Sequence, residues 1–188
     1  MANTSRVNGL RPVRTLSGVP FKIEEFCMTT NDGTATFVGD LVKLSGTGHT
    51  DGTPEVIQCA AGDAAVGVVV SFSPDPTNLN LLHRTASTLR RCQVITSPDV
   101  VYEIEEDSVG GAIAVTDIGK CGDVAVGAGS TTTGYSGMTL DSSNVQAVDA
   151  GGQLRVIRLV PREDNAIGAN AKWEVIIAEH SYLGATDI

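Results

Sequence analysis

Three histidines and one short acidic run are the residues of this chain whose types could carry acid, base or metal chemistry. His49 falls within Gly46-Thr47-Gly48-His49-Thr50-Asp51-Gly52, His83 in a Pro- and Asn-rich loop, and His180 at the end of an apolar run. None stands beside a serine, cysteine or acid in a recognisable nucleophile setting, although distant residues can also build a triad. The run Glu103, Glu105, Glu106, Asp107 has the composition of a calcium site or of a carboxylate pair for acid and base work. Strand alternation puts Glu103 and Glu105 on one face with Val101, and leaves Glu106 and Asp107 at the strand end. That pattern predicts a solvated face whose charges discourage pairing between molecules.

The glycine-rich segments fail as phosphate cradles. Gly129-Ser130-Thr131-Thr132-Thr133-Gly134 has the glycine spacing of a Walker element, but Tyr135-Ser136 follows where a lysine must reach the phosphates, and no helix follows. Gly46 to Gly52 lacks the spacing and the helix that hold a dinucleotide. Cys27, Cys59, Cys92 and Cys121 lie about thirty positions apart with no C-x-x-C pair and no histidine cluster, so they read as small buried hydrophobes rather than zinc ligands, while their even count permits two disulfides under oxidising conditions. The expectation is a protein that is not an enzyme and needs no cofactor or metal.

The elements that would position these residues are strands. Phe21 to Phe26, Phe37 to Leu44, Val56 to Cys59, Val66 to Phe72, Leu89 to Ile95, Val100 to Glu106, Leu154 to Val160 and Lys172 to His180 carry β-branched or alternating patterns, and Val109 to Val126 holds a weaker pair. Val66-Gly67-Val68-Val69-Val70 is apolar on both faces, as for a strand covered on both sides. In the last strand Trp173, Val175 and Ile177 share one face, and Trp173 is the largest core candidate. Ser73 to Ala86 reads as a long surface excursion with one helical turn at Leu79 to Leu82, and Gly127 to Asn144 as an exposed loop or rim anchored by Met138 and Leu140. About nine short strands without an amphipathic helix predict an all-β fold, an antiparallel β-barrel or sandwich with a jelly roll possible, bearing long loops.

At 188 residues, the chain fits one domain with an extension. Met1 to Arg14 carries Arg6, Arg11 and Arg14 and no acid, while the remainder sets ten basic residues against all 22 acidic ones. The Asn8-Gly9 and Arg11-Pro12 breaker pairs precede the first evident strand, so residues 1–20 read as an extended N-terminal arm outside the core and 21–188 as a single β-rich domain. A net charge of −9 argues against nucleic acid as the main partner. No apolar run reaches the roughly 18 residues of a membrane span, and the N-terminus has no signal-peptide stretch, which points to cytoplasmic synthesis.

The start Asn8-Gly9-Leu10-Arg11-Pro12, the phrases Phe37-Val38-Gly39-Asp40 and Ala65-Val66-Gly67-Val68-Val69, and the loops Pro74 to Asn80, Gly129 to Gly134 and Asp164 to Trp173 resemble those of head decoration, or cement, proteins of tailed bacteriophages. The resemblance implies a β-rich virion protein on the capsid exterior, often a homotrimer, that binds the major capsid protein and holds the lattice against internal pressure. It supplies no catalytic residues. Arg6, Arg11 and Arg14 then become candidate contacts with the capsid or with a neighbouring subunit, the guanidinium fork being suited to carboxylates. A carbohydrate- or receptor-binding virion module using Tyr102, Tyr135, Tyr182 or Trp173 is the alternative, followed by a small hydrolase built on Glu105 and Glu106 or on a distant triad.

Overall fold

Residues 3–145 and 151–183 are described in a computed structural model of the chain, and within them the fold is all-β, with two short 3-10 turns as its only helical segments. Strands β2 (Ile23–Met28), β3 (Leu41–Gly48), β4 (Pro54–Gln58), β5 (Gly67–Phe72) and β6 (Arg90–Ile95) close a barrel in the order β2-β4-β3-β5-β6. All its pairings are antiparallel except β2 with β4, which meet in parallel at Cys27 and Glu55 and complete the closure. Closure removes the free edges that strands of this composition would otherwise expose.

The second unit is a five-stranded antiparallel sheet. Its strands are β1 (Arg11–Thr15), β7 (Val100–Glu105), β8 (Cys121–Gly122), β11 (Leu154–Leu159) and β12 (Lys172–Ile177), in the order β1-β7-β12-β11-β8. A ribbon of β9 (Val124–Ala125) and β10 (Thr139–Leu140) joins it through a bridge between Glu106 and Leu140. Alternation sends Tyr102, Ile104, Leu154, Val156, Trp173 and Val175 inward, where all are buried with Leu41, Val68 and Ile95 of the barrel in one cluster. Val69 instead joins Phe26, Met28, Val42, Val56 and Val94 in a second cluster. Strand β5 is apolar on both faces because each face serves a different core. Burial of a side chain the size of Trp173 contributes about 1.5–3 kcal/mol.

Three sequence expectations are corrected. The arm is extended, but it is part of the body: β1 pairs with β7, Leu10 is fully buried in the core, and its N–H donates to Gly39 O at 2.9 Å. Pro12 and a bulge at Val13 hide this five-residue strand from any periodicity. Leu79 to Leu82 forms turns, not helix. The 127–144 segment is only partly a rim, since Ser136, Met138 and Leu140 are buried. A Cβ on Gly127, Gly129 or Gly137 would stand within 2.3 Å of Gly137 O, the Phe37 ring or Ala128 O. Its glycines permit close packing rather than freedom. The other well-patterned strands lie within a few residues of the expected positions, whereas the weaker pair of Val109 to Val126 shrinks to two-residue strands at 121–122 and 124–125, and the two-sheet, barrel-containing architecture is the expected class.

Candidate functional site

Alternation on the five-stranded sheet gives its outer face as well as its core. In register across four strands, Arg11, Glu103, Glu174 and Arg158 stand side by side, and the next row places Arg14, Val101, Ile176 and Arg155. Lys172 lies opposite Glu105 one step further along β12. Neighbours in such rows have Cβ atoms about 5 Å apart, so Glu103 beside Glu174 is a like-charge contact that must be neutralised. Arg14 Nη2 reaches Glu174 Oε2 at 2.9 Å, and Arg158 Nη2 reaches Oε1 at 2.7 Å. Burial raises the Glu174 carboxyl, but the bonds from Arg158 and Arg14 outweigh it and hold the pKa below the ordinary value.

The N-terminal segment crosses this face at its 160s edge. Asn3 Nδ2 donates to Ala166 O at 2.7 Å and Ala169 O at 2.9 Å, while Asn3 Oδ1 accepts from Ala166 N at 2.9 Å. Glu105 accepts from Ser5 Oγ and from Arg6 N, each at 2.7 Å. Lys172 Nζ donates to Arg6 O at 3.2 Å. Between this segment and residues 162–172 opens a cleft of about 410 Å³ lined by Arg6, Arg11, Arg162, Lys172, Asp164 and several amides. Counting Arg6 with Arg11, Arg14, Arg155, Arg158, Arg162 and Lys172, seven of the chain's 13 basic residues gather on one side of a molecule that also carries 22 acids.

The three arm arginines are thus placed differently. Arg14 is committed to Glu174, whereas Arg6 and Arg11 both line the cleft and their guanidinium groups make no ion pair or hydrogen bond among the described residues. Sequence reading missed Arg155, Arg158, Arg162 and Lys172 as their companions. The signal was present in Leu154-Arg155-Val156-Ile157-Arg158-Leu159, an apolar and basic alternation that slips by one residue at the bulge between Val156 and Arg158.

The residues that could do chemistry are used as structure. The acidic run is not a solvated face: Glu105 is 4% and Glu106 0% exposed. Glu106 accepts from Ile113 N at 2.9 Å, Trp173 Nε1 at 3.1 Å and Ser108 Oγ at 3.3 Å, and burial pushes its pKa up. Asp107 accepts from Val109 N and from Ser142 N, both at 3.0 Å. Glu105 and Glu106 are buried because donors reach them, Ser5 and Arg6 for the first and Ser108, Ile113 and Trp173 for the second. No group of three or more His, Cys, Asp or Glu able to hold a metal occurs among the described residues.

His83 stacks on Phe37 with ring centroids 4.8 Å apart, and burial lowers its pKa, as it does for His180. His49 and Cys27 line a second cleft of about 380 Å³ with Asp75, Arg90 and Arg91. His49 Nδ1 is 3.1 Å from Asp51, but the Cys27 thiol contacts Thr53 O at 3.6 Å and Pro54 O at 3.5 Å, and burial pushes its pKa up. A thiol held protonated by burial is a poor nucleophile. All four cysteines are free and buried. No helix among the described residues is long and apolar enough to cross a membrane.

Comparison of the chain with protein-family models, with curated proteins and with solved structures finds no match. The charged outer face therefore has to be interpreted on its own chemistry.

Proposed function

We propose that the chain is a virion structural protein of the decoration class, which binds the outside of a phage capsid and stabilises the lattice of major capsid proteins, most simply as a homotrimer. The observation that carries this reading is the basic outer face on an acidic molecule. It is built on strands and partly preorganised by ion pairs, which suits a partner surface better than a small substrate. A clamp that binds the assembled shell more tightly than free subunits stabilises the shell by that difference, and three copies in one oligomer multiply weak contacts.

The glycan-binding alternative loses two of its four aromatic platforms, because Tyr102 and Trp173 are wholly buried and only Tyr135 and Tyr182 are exposed. The version of the hydrolase alternative built on Glu105 and Glu106 would need them free, and both are engaged as acceptors.

The test uses the full-length protein, with native mass measurement followed by sedimentation with purified expanded shells. The expected result is an oligomer that co-sediments at low salt and is released as ionic strength rises. A monomer that stays in the supernatant at low salt refutes the proposal. Deleting residues 1–14 is unsuitable as a test, because it would remove Leu10 from the core and most of β1 from the sheet.

A further inference from the structure

We infer that the cleft between the N-terminal segment and residues 162–172 is a carboxylate-binding site that takes an acidic side chain from an extended peptide segment of a protein partner. The inference rests on reading this face as a partner surface, though not on the partner being a capsid.

The argument begins with unused donors. Lys172 is spent on Arg6 O and lies 3.9 Å from both Glu103 and Glu105. Arg162 is shared between Glu103 at 3.3 Å and Asp164 at 3.4 Å. Arg6 and Arg11 have no such partners among the described residues, so two planar forks face the cleft with their N–H groups available. A fork of this kind matches a carboxylate with two parallel hydrogen bonds.

Charge balance then selects the ligand. Four cations line or floor the cleft against the carboxylates of Glu103, Glu105 and Asp164, which leaves a surplus of about one charge. A single carboxylate satisfies that surplus. A phosphate dianion would face the fixed carboxylates with an uncompensated charge, and a polyphosphate backbone would in addition meet the acidic remainder of the molecule. The rim supplies polar groups for a peptide backbone: Thr4 and Asn170 line the cleft, and their side chains make no hydrogen bond among the described residues. The ordering of the arm by Asn3, Ser5 and Leu10 means that the site exists before the ligand arrives, so binding does not have to fold it.

The experiment follows the arginine Nε–H resonances of full-length ¹⁵N-labelled protein during titration, at constant ionic strength, with sodium acetate, with a capped Gly-Glu-Gly peptide and with inorganic phosphate. Acetate and the peptide are expected to shift Arg6 and Arg11 along saturating curves, with phosphate weaker. The double variant Arg6→Gln, Arg11→Gln should raise the peptide Kd roughly tenfold or more, as expected for losing two charged donors, with its melting temperature unchanged. Shifts that stay linear, or that appear equally at Arg91, overturn the inference, as does phosphate binding more tightly than the peptide. Peptide saturation without shell binding refutes the capsid reading and leaves the cleft. Shell binding without peptide saturation does the reverse.

Discussion

Replacing Leu10 by Ala asks whether the first fifteen residues belong to the body. Leu10 is 1% exposed and shares a cluster with Leu41, Met138 and Leu154, while Val13, three residues later on the bulge, is 50% exposed. Truncating a buried leucine removes its transfer free energy and leaves a cavity that neighbours fill only in part. Such changes cost about 2–5 kcal/mol. Leu10 precedes an edge strand that can shift inward, so the lower half of that range, about 2–3 kcal/mol, is expected. Val13→Ala should stay within about 0.5 kcal/mol, as an exposed substitution does. Urea denaturation followed by tryptophan fluorescence and by circular dichroism reads both, with Trp173 as the only indole. Trypsin adds an independent measure, because the Arg14–Thr15 bond lies within β1 and should be cut faster in Leu10→Ala than in the parent. If Leu10→Ala and Val13→Ala shift the midpoint equally, and Arg14–Thr15 is cut at the parent rate in both, the arm does not contribute to the fold and the reasoning fails.

Two carboxylates should give opposite pH signatures. The Glu174 pKa is depressed in the folded state, so its contribution is present above the unfolded value near 4.3 and is lost as pH falls through the folded value; Glu174→Gln should flatten the acid limb in pH-dependent denaturation. The Glu106 pKa is raised, so its contribution is full below the unfolded value and declines as pH rises through the folded one; the stability advantage of the parent over Glu106→Gln should therefore shrink with rising pH. Glu106→Ala, which orphans Ile113 N and Trp173 Nε1, should cost about 2–4 kcal/mol at acidic pH, with the difference from the parent shrinking as pH rises, by the same denaturation assay. All four thiols should resist a thiol reagent in the native protein and react together on unfolding, with burial pushing Cys92 up to about 12; rapid labelling of one or more in the native state would contradict the packing.

Strand β12 was legible because Trp173, Val175 and Ile177 alternate cleanly with Lys172 and Glu174, and β5 because a run apolar on both faces admits few other placements. Barrel closure was not, since it turns on one parallel contact, Cys27 with Glu55, that no local pattern encodes. Burial of the acidic run was equally hidden: the donors that make Glu105 and Glu106 tolerable inside are Ser5, 100 positions away, and Trp173, 67 positions away. Nothing local marks Arg84, in the expected excursion Ser73 to Ala86, or Arg90, in the expected strand Leu89 to Ile95, as other than a solvent-facing cation. Instead, Arg84 bonds Asp32 and the carbonyls of Thr29, Thr34 and Thr88, and Arg90 bonds those of Ser73, Leu81 and His83, so both are buried braces. The charge anomaly of the arm was visible at once, but its companions on β11 and β12 come from the far end of the chain and are assembled only by the sheet.

The barrel is contiguous in sequence, from Ile23 to Ile95, whereas the sheet is gathered from both sides of it. During synthesis the barrel strands are all available before β7 emerges, and β12 comes some seventy residues later still. Strand β1 therefore precedes the barrel in synthesis but has no pairing partner until β7 is made. Asn3 finds its loop at Ala166 only after β11 has been made, so ordering of the N-terminal segment reports assembly of the five-stranded sheet.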